Sequence, residues 1–219
     1  MPYNIGVSEA ICIAEWLGKP SVASKEALTT TSTIKTSYLR GKLLLAMPNM
    51  SDPRFERAVI CMCEHNEEGA MGIVVNKPSF DIEFTELMEQ LEIDLPARPV
   101  DISVFTGGPV EPNRGFVLHS ADYTQDSTLV VSEIVALTAT VEILRAMATG
   151  TGPINSLLAL GYAGWGPGQL ESEIQQNAWL HTEIDTDLLF STEADMKWPL
   201  AMAKLGVDVS MLSSTPGHA

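Results

Sequence analysis

The residues best suited to chemistry in this 219-residue chain lie in a glycine-punctuated segment, Gly161-Tyr-Ala-Gly-Trp-Gly-Pro-Gly168. It runs directly into the helical pattern Gln169-Leu-Glu-Ser-Glu-Ile174. Strand, glycine loop and helix N-terminus together form the arrangement in which backbone N–H groups cradle an anion. The segment has no Lys-Ser/Thr after its glycines and no regular G-x-G-x-x-G, so it is neither of the common phosphate fingerprints. Glu171 and Glu173 also sit in the first helical turn, where they occupy the positive end of the helix and repel phosphate. Two readings stay open. One is a small-ligand or partner site built on Gly161, Tyr162, Gly164, Trp165, Gly166 and Gly168. The other is a sharp turn of close backbone packing, with Trp165 plugging a groove.

Cys61, Cys63 and His65 alternate along one predicted strand, which would put two thiols and an imidazole on one face, with His119 or His181 as a fourth group. Same-face neighbours on a strand stand roughly 6.6 Å apart, awkward for one tetrahedral zinc. No metal is therefore expected. Cys63 is the redox candidate, against the commoner fate of strand cysteines in a core. Arg54 and Arg57 are i, i+3 neighbours that would hold a carboxylate or phosphate, or else pair with the local Asp52 and Glu56 or with the acidic 81–219 region; structural pairing is the preferred reading. His65 at one end of a predicted hairpin and Asn76 and Lys77 at the other mark an exposed site or ordinary turn chemistry. His119, followed by Ser120, invites an acyl-transfer reading, but there is no G-x-S-x-G elbow and no identifiable orienting acid.

The elements that must position these groups follow from hydrophobic spacing and turn signals. Residues 41–47 form a short apolar strand stopped by Pro48. Ser51 or Asp52 caps a brief helical turn that begins at Pro53 and runs through Arg57. Strands over 58–65 and 70–76 flank the tight turn Asn66-Glu-Glu-Gly69, the clearest hairpin in the chain. Phe84, Leu87, Met88 and Leu91 have helical spacing. Short strands follow over 103–105, 114–119 and 128–131. Thr138 caps a helix with the stripe Val141, Leu144 and Ala148, closed at Gly150.

A buried strand over 156–160 leads through the glycine loop to a helix over 169–176. Strands over 178–184 and 187–190 come next. A last helix begins at Thr192, is broken or kinked by Pro199, and ends at Gly206. The connections are mostly too short for parallel crossovers. They predict one α+β domain over 37–209 with a mixed, mostly antiparallel sheet and helices outside it. Residues 1–36 are expected as a weakly ordered extension and 210–219 as a flexible tail.

Composition narrows the function classes. Apolar residues make up 45% of the chain, enough for a real core. Thirteen basic residues face 28 acidic ones, for a net charge of −15. The whole excess falls in residues 81–219, with five basic and twenty acidic side chains. That balance disfavours direct nucleic-acid binding, which needs clustered Lys and Arg. Three cysteines do not make a secreted disulfide framework. No apolar run approaches the roughly 18 residues of a spanning helix, so no membrane partner is expected. The N-terminus lacks the basic region of a signal peptide, and the expected location is the cytosol.

Four stretches carry a resemblance to a known family. They are Gly41-Lys-Leu-Leu-Leu-Ala-Met-Pro-Asn-Met-Ser-Asp-Pro-Arg-Phe-Glu-Arg57, His65-Asn-Glu-Glu-Gly-Ala-Met-Gly-Ile-Val-Val-Asn-Lys-Pro78, Gly107-Gly-Pro-Val110 and Gly161-Tyr-Ala-Gly-Trp-Gly-Pro-Gly-Gln-Leu-Glu171. Together they resemble the YqgE/AlgH family, over residues 39–208. The resemblance implies a bacterial, cytosolic α+β domain with a bent, partly barrel-like sheet flanked by helices. One branch of that family is named as a transcriptional regulator of alginate synthesis, and no catalytic activity, cofactor or ligand is established for it. Ser51 departs from the pattern, standing where glycine is common, and residues 1–36 lie outside it.

The reading that follows is a regulatory or interaction protein without enzymatic activity or cofactor. It binds a protein or a small ligand near the glycine segment. The alternative is an enzyme or nucleotide-binding protein using that segment with Arg54, Arg57 and His119. A direct DNA-binding regulator is the third reading, and the charge argues against it.

Overall fold

The leucine run near the start of the domain is apolar throughout because both of its faces are covered. In β1 (Lys42–Ala46), Leu43 and Leu45 enter one core cluster while Leu44 and Ala46 enter another. The computed structural model describes residues 38–96 and 102–207. The expected extension over 1–36 and tail over 210–219 lie outside the described residues. After β1, Asp52 accepts the Arg54 N–H at 3.0 Å and caps a single 3₁₀ turn, Pro53–Phe55. The predicted hairpin follows as β2 (Val59–Asn66) and β3 (Gly69–Val74), paired antiparallel.

Helix α1 (Phe84–Gln90) buries Phe84, Leu87 and Met88. The strands β4 (Val104–Thr106), β5 (Val110–Ser120), β6 (Leu129–Val130) and β7 (Val135–Thr138) follow, then α2 (Val141–Thr149). Gly150 closes α2 with φ 74°, the left-handed C-terminal conformation that glycine reaches most readily. Next come β8 (Ser156–Trp165), α3 (Gln169–Gln175) and β9 (Trp179–Glu183). A π-helical turn, Asp187–Ser191, leads into α4 (Ala194–Lys204).

The nine strands form one curled antiparallel half-barrel in the order β6-β7-β5-β8-β3-β2-β1-β9, with β4 added parallel to β8. The mixed, mostly antiparallel sheet of an α+β domain is therefore present. Strand β8 is its pivot. One stretch pairs with β5 and β4, through Leu157–Leu160; another, Ala163–Trp165, pairs with β3. Helix α4 and the π turn cover the core of one face, with Trp198, Ala201 and Met202 packed in it. Helices α1 and α2 cover Val104, Val117 and Leu158.

Four local expectations are corrected. The segment 161–165 continues β8 rather than opening a loop, because its small residues let neighbouring backbones approach. Thr138 ends a strand, and Thr140 stands at the start of α2. Residues 187–190 coil into the π turn instead of extending. Helix α4 runs unbroken through Pro199. The proline sits in its second turn, where its missing N–H releases only the exposed Asp195 carbonyl to solvent.

Candidate functional site

The face of α4 turned to the core carries a lysine among apolar neighbours. Lys197 is 2% exposed and lies between the sheet and the π turn, beside the buried Trp198, Ala201 and Met202. Its Nζ donates to the Leu189 carbonyl at 2.6 Å and stands 5.5 Å from the centre of the Phe105 ring. Leu189 belongs to the π turn, whose wide closure is the Thr192 N–H to Asp187 carbonyl bond. Such turns recur at functional sites. Among the described residues no carboxylate lies within ion-pair distance of Lys197. Burial holds its amine down at about 8, against a weaker upward pull from Glu193.

Lys197 is one of the residues lining a cavity of about 420 Å³. Ser103, Phe105, Ser156, Phe190, Thr192 and Glu193 are among its walls. The parallel pairing of β4 with β8 brings Ser103 and Ser156 out at the same end of the sheet. The wall at residues 154–156 is fastened from behind. Ile154 N–H donates to Asp122 Oδ2 at 3.0 Å, and Asn155 N–H donates to Ser120 Oγ at 3.0 Å. A cavity that combines hydroxyls, aromatic rings and one buried amine suits a small organic molecule carrying an electrophilic or anionic group.

His119, next to Ser120, is fully buried and its hydrogen bonds are directional. Its Nδ1 lies 2.9 Å from the Ser120 carbonyl, which only accepts, so Nδ1 carries the hydrogen. In the neutral ring Nε2 then accepts from Thr138 Oγ1 at 2.9 Å. Thr138 in turn accepts from Thr128, at 2.8 Å, and Thr128 from the Gln125 N–H, at 2.9 Å. Burial lowers the pKa of His119 below 6.5, the Ser120 carbonyl opposing. The unfolded chain therefore binds the extra proton first as pH falls below about 6.5. Stability should decline between pH 7 and pH 5. Urea midpoints of His119→Leu across that range should lack this part of the decline.

The other sequence candidates are held by structural partners. Arg54 grips Asp52 through Nε at 3.0 Å and Nη2 at 2.6 Å, one of the structural pairings expected from sequence. Arg57 lies over the Trp198 ring at 5.5 Å. Asn76 clamps the chain before β2, accepting from Val59 N–H and donating to the Arg57 carbonyl, both at 2.8 Å. Lys77 is half-buried, and its carbonyl accepts the Thr106 N–H. Arg54, Arg57 and His119 are thus each held in separate contacts.

The one-face arrangement of Cys61, Cys63 and His65 does not form. A β-bulge at Cys63 shifts the register between Met62 and Glu64. One extra residue reverses the phase of everything beyond it. Cys61 pairs with Ile73 in one core cluster, whereas His65 pairs with Ala70 in the other. His65 Nδ1 accepts from Leu39 N–H at 3.0 Å, so Nε2 carries the hydrogen toward Glu171 Oε1 at 2.9 Å. Cys63 is fully buried; its contact with Cys61, and burial, hold its thiol well above the usual range. Among the described residues no three His, Cys, Asp or Glu side chains cluster as metal ligands would.

Within 161–168, Gly161 serves close backbone packing. A Cβ on Gly161, whose φ is 74°, would lie 2.4 Å from the Gly108 carbonyl oxygen. One on Gly108 would lie 2.1 Å from the Tyr162 carbonyl carbon. The two glycine motifs are therefore two sides of one backbone crossing. Tyr162 packs edge-on against Phe116, and Gly164 pairs with Met71 of β3. Gly168, φ 71°, precedes the first residue of α3, and the Gly166 N–H is taken by Gln169 Oε1 at 3.0 Å. Trp165 is 7% exposed and donates to Glu173.

Lys197 was not among the sequence candidates. Its signal was a lysine at the position where 197, 198, 201 and 202 share a helical face. Recognising the site also required Phe105 and the π turn, which no local pattern connects to it.

The family model described as DUF179: AlgH-like matches residues 43–210. A UPF0301 protein of Bradyrhizobium diazoefficiens is 50% identical over 210 residues, covering 92% of this chain and 98% of that protein. A UPF0301 protein of Methylobacterium nodulans is 54% identical over 191 residues, covering 84% and 91%. The solution structure of the AlgH protein from Pseudomonas aeruginosa superposes with a TM-score of 0.69 at 44% identity, over 87% of this chain and all of that one. A Corynebacterium diphtheriae protein shares the fold at a TM-score of 0.58 and 21% identity, over 76% of this chain and 86% of that one.

Proposed function

The chain belongs to the AlgH-like family, and from that premise we propose a cytosolic, non-enzymatic regulatory or interaction protein whose signal is a small molecule held in the Lys197 cavity. One observation carries the reading: a lysine 2% exposed faces a cavity of about 420 Å³ without a carboxylate partner among the described residues. Small-ligand cavities measure about 300–1,000 Å³. Only the weaker pull of Glu193 offsets the burial of this amine, and an anionic ligand would add to it.

The cytosolic part of the reading is supported by Cys61 and Cys63, which are free thiols. No described helix is long and apolar enough to cross a membrane. The net charge of −15 continues to disfavour direct DNA binding.

A thermal-shift screen with small organic acids, carbonyl compounds, nucleotides and metal ions tests the reading. One class of small organic anion should stabilise the protein, by about 2.7 kcal/mol at a hundredfold excess over Kd. Lys197→Met should abolish that shift. Stabilisation by none of the compounds, or an equal shift in the variant, would defeat it.

A further inference from the structure

We propose that Lys197 is a covalent attachment site, whose Nζ condenses with the carbonyl carbon of a small 2-oxo monoacid bound in the cavity and holds it as an imine. This rests on the small-ligand reading of the same cavity and adds the ligand class and the bond.

The geometry favours a reacting amine over a structural one. A buried lysine is ordinarily paired with a carboxylate, and Lys197 instead has the Leu189 carbonyl at 2.6 Å and the Phe105 ring at 5.5 Å. Neither group is an electrophile, and between them they fix the position of Nζ. Ser103 and Ser156 also line the cavity, and a serine hydroxyl is able to donate to a carbonyl oxygen or a carboxylate. A 2-oxo acid places its carboxylate next to the carbon that reacts, so it adds negative charge close to a nitrogen that Glu193 attracts only weakly. Glu193 lines the cavity too, and it disfavours a second carboxylate on the ligand. The lowered basicity of Lys197, at about 8, leaves a usable fraction of free amine near neutral pH.

The reaction balances without a further reagent. The ammonium group releases a proton, its lone pair attacks the carbonyl carbon, and the carbonyl oxygen becomes a hydroxyl. That hydroxyl takes a proton and departs as water. Lys–NH₃⁺ and the carbonyl compound thereby give a protonated imine, Lys–NH⁺=C, and one water. No oxidation or reduction occurs.

Incubation of the full chain with pyruvate or glyoxylate and sodium cyanoborohydride, followed by peptide mass spectrometry, tests the proposal. The reductant converts the imine to a stable secondary amine. The expected result is one adduct per chain on the Lys197 peptide, formed about tenfold or more faster than at any other lysine. Lys197→Arg keeps the cation and should form no adduct there, with the far-ultraviolet circular dichroism of the wild type. Lactate, which has the carboxylate but no carbonyl, gives a control that needs no variant and should form no adduct.

Labelling spread evenly over the lysines would overturn the proposal. So would thermal stabilisation by either oxo acid, equal in wild type and Lys197→Arg, with no adduct; the small-ligand reading would then survive. Neither adduct nor stabilisation with either acid also overturns the imine, and the wider screen then decides whether the cavity binds anything.

Discussion

Lys197→Met should make the protein more stable at pH 7, by about 2 kcal/mol, because a buried ionisable group without an ion pair is replaced by an apolar one of similar length. The amine falls from 10.5 to about 8 on folding. At about 1.4 kcal/mol per unit, keeping it protonated in the folded state costs about 3 kcal/mol. Loss of the bond to the Leu189 carbonyl and of the Phe105 contact offsets about 1 kcal/mol of the gain. The sign of the pH dependence follows from the depressed folded value. Between about 8 and 10.5 the lysine binds more protons in the unfolded chain than in the folded one, so its contribution to stability rises with pH across that window. Below about 8 the full penalty applies. Urea unfolding at pH 7 and pH 10 should show the stability gain of Lys197→Met over wild type shrinking across that window. A variant less stable than wild type at pH 7 would make the lysine a structural residue. A gain in stability on removing it is what a group retained for function predicts.

The sequence exposed those parts of the fold that depend on neighbours in the chain. The hairpin around Asn66-Glu-Glu-Gly69, the Asp52-Pro53 turn and the glycine end of α2 are local chemistry, and each formed near its expected place. The long motifs also identified the family, and with it the α+β sheet. What stayed hidden was set by contacts distant in the chain. The bulge at Cys63 leaves no mark on the alternation of β2, yet it turns His65 to the opposite face. The 161–165 stretch looked like a loop because glycines usually break strands. Here they admit the Gly107-Gly108 backbone, and no local pattern shows that crossing. Thr138 resembled a helix cap until the structure placed His119 against its hydroxyl. The Lys197 cavity joins residues from β4, β8 and the π turn, so only the third dimension assembles it.

Glu173→Ala should cost about 4 kcal/mol, the largest loss expected from a single truncated carboxylate here. Glu173 Oε2 accepts the indole N–H of Trp165 at 2.9 Å and that of Trp179 at 2.7 Å, while Oε1 accepts Gln169 Nε2 at 2.9 Å. The two indoles meet edge to face at 5.9 Å and are 7% and 3% exposed. Removal of the carboxylate leaves two such donors without an acceptor, at about 1–3 kcal/mol each. Glu173→Gln retains one acceptor oxygen and should lose about half as much. Urea unfolding followed by tryptophan fluorescence measures both. A double-mutant cycle with Trp165→Phe supplies the decisive comparison, since with one donor gone the alanine at 173 should cost at least about 1 kcal/mol less. A cost below about 1 kcal/mol in the single variant would mean that the indoles do not depend on Glu173. The first turn of α3 would then be free to serve the glycine segment as a binding site. A large coupled loss makes Glu173 the anchor that fixes α3 to the sheet through both indoles.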